Sequence, residues 1–139
     1  MRTSRKPDRP PLQILIQAVQ IVLTPELLAP RWRRLLAPGA HFTAGHCYVA
    51  AEALWHLLGC RGWQPMVASY TNNGVACTHW WLQSASERAD PTEEQFWPAP
   101  PPYHLGRRAG FLTKKPSKHA KEVMRRARPI LKDLLILSS

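Results

Sequence analysis

The chain has 139 residues, of which 45% are apolar, enough for one domain with a real core. It carries 19 basic and 9 acidic residues for a formal net charge of +10, an excess that attracts anionic partners and excludes an acidic, solvating chain. Its three cysteines, Cys47, Cys60 and Cys77, are odd in number and form no CxxC pair, which argues against a complete disulfide framework and for a reducing compartment.

Residues 1–11 are basic and proline-rich, with Arg2, Arg5, Lys6 and Arg9, and are expected to form a disordered arm ahead of a single domain over residues 12–139. The run "LQILIQAVQIVL" that follows briefly imitates a signal peptide. However, Gln13, Gln17 and Gln20 recur at i, i+4 and i+7, which is the polar stripe of an amphipathic helix over about residues 12–23. No small-x-small cleavage site follows, and no segment reaches the roughly 18 apolar residues of a membrane span. A cytoplasmic protein with no membrane partner is expected. "LTPELLAPRWRRLLAPG" reads as short helical pieces separated by prolines, with Thr24 as an N-cap.

The next helix is expected to begin near Gly45 and end at Gly59. Cys47, Ala50, Ala51, Leu54 and Leu58 share its apolar face, and Glu52 and His56 share another, where they would pair on the surface. The period then changes. "QPMVASY" and "VACTHWWL" suit two strands joined by an Asn-Gly turn. In the second, Val75, Cys77, His79 and Trp81 alternate with Ala76, Thr78, Trp80 and Leu82, so Trp80 and Trp81 point to opposite faces. "QSASERA" suits a turn and "DPTEEQF" a short strand running into a loop. "WPAPPPYHLGRRAGF" is expected to wrap the surface without regular structure. "PSKHAKEVMRRAR" returns to helix, with Ala120, Val123, Met124 and Ala127 as its buried stripe, until Pro129 breaks it. Helices, then a small antiparallel sheet, then a helix make an α+β layout.

Thiol catalysis needs a thiolate, a base to take its proton and a group to orient that base. A cysteine in the first turn of a helix is favoured as the thiolate by the exposed backbone N–H groups and the helix dipole. Cys47 occupies that position, His79 lies mid-strand, and Asp90 lies eleven residues further on, where an antiparallel neighbour would carry it beside His79.

"GHCYVAAEALWHLLG", "THWWL" and "ADPTEEQF" together resemble the core of transglutaminase-like cysteine hydrolases, a branch of the papain-like fold. The longer string, including "PYHLGRRAGFLTKKPSKHA", is similar to a group of small bacterial and phage proteins. The resemblance spans most of residues 24–128. It implies a papain/transglutaminase-like core in which Cys47 is the nucleophile, His79 the general base and acid, and Asp90 the residue that fixes the imidazole. A protein or peptide substrate, suggested by the basic surround, and no cofactor are expected. The backbone N–H of Cys47 is the expected first oxyanion donor; Gln17, Gln95 and Trp80 are side-chain candidates by residue type.

Trp80, Gln95, Tyr103 and Arg107, with Arg108, are candidate substrate contacts if the irregular segment folds over the site. Each of the three triad residues also has a plainer reading: Cys47 as a core thiol, His79 as a packed strand residue, and Asp90 as a turn residue capping its own backbone. His46, Cys47, Cys77 and His79 supply four ligand types that zinc accepts, but their spacing does not match the usual short-loop pairs. The basic termini, the second of them Lys114, Lys115, Lys118, Lys121, Arg125, Arg126 and Arg128, define a competing class: a non-catalytic protein that grips nucleic acid on the same scaffold.

Overall fold

A computed structural model of the chain describes residues 10–24, 27 and 46–138. Most of the basic arm, most of the proline-separated pieces after Thr24, and Gly45 lie outside the described residues. Helix α1 spans Leu12–Val22 and buries Leu15, Ile16, Ala18, Val19 and Val22, while Gln13 and Gln17 stay exposed. Helix α2 spans Cys47–Leu57. It ends in a Schellman motif, in which the Cys60 N–H donates to the Trp55 carbonyl at 2.9 Å and the Gly59 N–H to that of His56 at 3.0 Å. Gly59 supplies the left-handed backbone, at φ 83°, that this ending demands.

Strands β1 (Gln64–Asn72) and β2 (Val75–Gln83) pair antiparallel, with Asn72 opposite Val75. The two intervening residues, Asn73 and Gly74, have φ of 50° and 78°, matching the type I′ turn that the right-handed twist of a hairpin favours. Strand β3 (Arg88–Ala89) returns along β2 opposite Leu82 and Gln83, and β4 (Gly106–Arg108) pairs with β1 opposite Met66, Val67 and Ala68. The sheet order is β3-β2-β1-β4, antiparallel throughout. The protein is α+β with a small sheet.

Several expectations are corrected. "DPTEEQF" holds no strand: β3 ends at Ala89 just before it, and Glu93–Phe96 form a 3₁₀ turn. The proline-rich segment is not wholly irregular. Tyr103–Leu105 form a 3₁₀ turn and Gly106–Arg108 an edge strand, because β1 offers free backbone groups and Gly106 lets the chain lie against the Trp81 ring. Pro129 does not end the last helix either, and α3 runs on as Lys118–Ser138. Pro129 is exposed, and beyond it Ile130, Leu131 and Leu134 pack against the core, which keeps the helix going past the missing N–H.

Alternation sorts the sheet into two faces. Trp80 and Leu82 point toward the helices, where Tyr48 and Phe111 contact Trp80 and the core of α1, α2 and α3 meets Leu82. His79 and Trp81 point the other way and lie under Phe96 and Tyr103. Among the described residues no helix is long and apolar enough to cross a membrane.

Glu52 is not a surface partner of His56. It is fully buried in α2, and its carboxylate accepts from the Ser117 N–H at 2.8 Å and the Ser117 hydroxyl at 2.7 Å. Ser117 in turn accepts from the Ala120 N–H at 3.2 Å, as the N-cap of α3. A carboxylate at a helix N-terminus is the sign that the dipole favours. His56 instead faces Cys60, with Nδ1 3.5 Å from the sulfur, and burial pulls its pKa down against the opposing charge of Glu52.

Candidate active site

Cys47 is the first residue of α2. The N–H groups of such a first turn have no acceptor within the helix, and the side chain of the N-cap residue, His46, makes no capping bond. His46 is itself buried. The Cys47 sulfur lies 3.5 Å from the Thr78 carbonyl, to which the thiol donates. This contact falls on a stretch of β2 that β3 leaves unpaired, since β3 reaches only Leu82 and Gln83.

One residue on, His79 is completely buried. Its Nε2 lies 2.6 Å from Asp90 Oδ2. Asp90 follows directly after β3, so the antiparallel return along β2 carries it to the imidazole. The Asp90 carboxylate is held on both oxygens. Oδ1 accepts from the Thr92 N–H at 3.1 Å and the Thr92 hydroxyl at 3.4 Å, and Oδ2 accepts from the Tyr103 hydroxyl at 2.7 Å as well as from His79. The turn-capping reading and the imidazole-fixing reading of Asp90 are therefore met by one side chain, with one oxygen serving each.

Aromatic rings enclose the imidazole. Trp81 stacks on it at 5.5 Å, and Phe96 meets it edge-on at 4.7 Å. Such an enclosure excludes water and strengthens the hydrogen bond inside it. The other ring nitrogen, Nδ1, is buried without a hydrogen bond, and the Cys47 sulfur lies close enough to interact with the ring. Burial alone would lower the His79 pKa. The hydrogen bond to Asp90 and the interaction with Cys47 outweigh it and raise the pKa to about 9. His79 thus holds its proton more tightly than a free imidazole does.

The structure brings Cys47, His79, Asp90 and Tyr103 together. It does not bring the other candidate contacts to the imidazole. Trp80 lies on the helix-facing side of β2. Arg107 is opposite Val67, on that same side, and donates to the Ser69 hydroxyl at 3.1 Å. Arg108 donates to Gln64 at 3.1 Å. Gln95 donates to the Thr92 carbonyl at 3.1 Å, and Gln17 is exposed on α1. Among the described residues no group of three or more His, Cys, Asp or Glu side chains is gathered to hold a metal, the His46, Cys47, Cys77 and His79 set included.

Three residues at the site went unread in the sequence. Thr92 is fully buried and clamps Asp90 Oδ1; an Asx-type turn at "DPT" was its available signal. Phe96 and Tyr70 line the His79 face and contact each other at 5.7 Å. Burial, with smaller contributions from Cys77 and Cys47, pushes the Tyr70 pKa up to about 12. Strand alternation already sets Tyr70 on the same face as its cross-strand partner Cys77 and as His79.

Compared with known proteins, the chain matches no family model, no curated protein and no solved structure.

Proposed function

We propose that the protein is a cysteine-dependent acyl-transfer enzyme that acts on amide or related acyl bonds through Cys47, His79 and Asp90. The observation that carries this reading is the buried His79–Asp90 bond at 2.6 Å, with the Cys47 thiol at a helix start interacting with the same imidazole. A histidine serving only as core packing needs neither neighbour. The resemblance to transglutaminase-like hydrolases points the same way, and the papain/transglutaminase-like assignment of the core belongs to this proposal.

The chemistry follows from the positions. His79 Nδ1 takes the Cys47 proton, and the imidazolium is stabilised by Asp90 at Nε2. The thiolate attacks the acyl carbon. The oxyanion develops toward the first-turn N–H groups of α2, which the helix dipole makes good donors. The acyl C–N bond breaks as His79 hands its proton to the departing amine, leaving a thioester on Cys47. Attack by water releases the acid, as in a peptidase or deamidase; attack by a second amine forms a new amide, as in a transglutaminase. Either step regenerates the thiol.

The test is acylation of the thiol by an activated p-nitrophenyl ester, read by intact mass and peptide mapping. The expected result is an acyl adduct confined to Cys47, absent in Cys47→Ser and strongly slowed in His79→Ala. Equal modification of Cys47, Cys60 and Cys77, or an adduct indifferent to His79, would contradict the proposal.

A second reading, a non-catalytic binder of nucleic acid, draws on α3. Lys118, Lys121, Arg125, Arg128 and Lys132 are all exposed and recur at helical spacing, a stripe of about 21 Å. It predicts DNA or RNA binding that weakens steeply with salt and is unchanged in Cys47→Ala. Salt-independent binding, or none, removes it.

A further inference from the structure

We propose that Tyr103 is a positioning residue for the Cys47–His79 pair: by donating to the Asp90 oxygen that also receives the His79 Nε2 proton, its hydroxyl fixes that oxygen and moderates its pull on the imidazole. The functional meaning of this inference rests on the acyl-transfer reading above; its physical core, the coupling of three side chains, does not.

The Tyr103 hydroxyl is bound far more closely to Asp90 Oδ2, at 2.7 Å, than to its other acceptor, Glu93 Oε2, at 3.5 Å. Asp90 Oδ2 is shared between His79 at 2.6 Å and Tyr103 at 2.7 Å, while Oδ1 is taken by Thr92. Two donors on each oxygen fill the lone-pair directions of a carboxylate, so the group cannot turn about its Cβ–Cγ bond without losing partners. Two hydrogen bonds to one oxygen divide its charge. Each donor therefore weakens what the other receives, and the Tyr103 hydroxyl sets how strongly Asp90 holds the imidazolium.

Tyr103 is itself fixed in place. The Arg88 guanidinium sits 3.7 Å from the centre of its ring, and the ring meets Trp81 edge-on at 5.0 Å, the same Trp81 that stacks on His79. The 3₁₀ turn that carries it is closed by the Tyr103 N–H on the Pro101 carbonyl and the Leu105 N–H on that of Pro102. Packing of this kind would be satisfied by phenylalanine. The hydroxyl has a reason to be there only as a donor. Burial, then the Asp90 charge, raise the Tyr103 pKa, so the phenol stays protonated and remains a donor. The charged and titratable groups that face the pair include Asp90, Cys47, Arg88 over the phenol ring, Tyr70 and Cys77 on the His79 face of the hairpin, and Glu93, whose Oε2 lies 3.5 Å from the Tyr103 hydroxyl.

The test follows the His79 imidazole by NMR titration of the full-length protein, with its resonance assigned by His79→Gln. In Tyr103→Phe, Asp90 loses a competing donor and holds the imidazolium harder. The His79 midpoint is expected to rise by about half a unit, roughly a threefold change in proton affinity, while the other histidines stay put. With 3-fluorotyrosine at position 103, a stronger donor of the same shape, the midpoint is expected to fall. An unchanged His79 midpoint in both proteins overturns the inference, as does a shift shared by every histidine. Should Tyr103→Phe not fold, the fluorotyrosine protein decides alone: no downward shift sinks the proposal. The acyl-transfer reading fails separately, if wild-type Cys47 alkylates at pH 6 no faster than Cys60 and Cys77, and in that case the midpoints still report on Tyr103.

Discussion

His79 and Asp90 are joined at 2.6 Å with almost no water in reach, the side chains being 0% and 2% exposed. This pair makes stability depend on pH in a defined direction. The His79 pKa is raised from 6.5 to about 9, chiefly by Asp90 against the cost of burial. A raised pKa in the folded state contributes stability that is fully present below about 6.5 and lost as the pH rises through about 9. The size of the shift corresponds to something on the order of 3 kcal/mol. Denaturant unfolding of the wild type should therefore lose stability between pH 6.5 and 9. In Asp90→Asn that downward slope should flatten, because burial then opposes the charged imidazole. Parallel slopes in the two proteins would contradict the pairing.

Gly106 tests how closely the covering segment lies on the site. A Cβ added there would fall 2.6 Å and 2.7 Å from two Trp81 ring atoms, nearer than real contacts allow. Trp81 is buried between His79 and Tyr103 and has little room to yield. Gly106→Ala is expected to cost about 1–3 kcal/mol, the usual toll of overpacking, and to alter tryptophan fluorescence. A variant as stable as the wild type, with the same emission, would show that the segment is not seated on Trp81.

Glu52→Ala should weaken the start of α3 from a distance of 65 residues in the chain. It leaves the Ser117 N–H and hydroxyl without their buried acceptor, at an expected cost of about 2 kcal/mol or more. Hydrogen exchange should rise in the first turn of α3 more than elsewhere. Glu52→Gln, which keeps one acceptor, should recover part of the loss. Exchange that is unaltered at Ser117–Lys121 in Glu52→Ala would remove the capping role.

Much of this was legible in the sequence where the signal is local. The Asn73-Gly74 turn fixes the hairpin register, and register alone sets His79 and Trp81 on one face and Trp80 on the other. The helix ending at Gly59 and the buried stripe of α3 follow from periodicity in the same way. What could not be read depends on partners far along the chain. Glu52 looked like half of a surface pair with His56, because its real partner, Ser117, is not on the same helix. Strand β4 has three residues and no pattern of its own, and exists because β1 has an open edge. Pro129 is a breaker by its own chemistry, and only the packing of the residues beyond it keeps α3 intact. The sequence offers Tyr103 only as a residue of a segment that could cover the site, because its hydrogen bond to Asp90 depends on where that proline-rich segment crosses the sheet. Arg107, four residues later, points to the opposite face.

The most direct test of the central claim is iodoacetamide labelling from pH 4 to 9, with the modified cysteine located by peptide mass spectrometry, for wild type beside His79→Ala and Asp90→Asn. The account predicts that Cys47 labels rapidly at pH 6 while Cys60 and Cys77 lag, and that the His79 variant loses this low-pH reactivity. If Cys47 labels only above pH 8, or only once the protein is unfolded, it is a packed thiol and the acyl-transfer account is wrong.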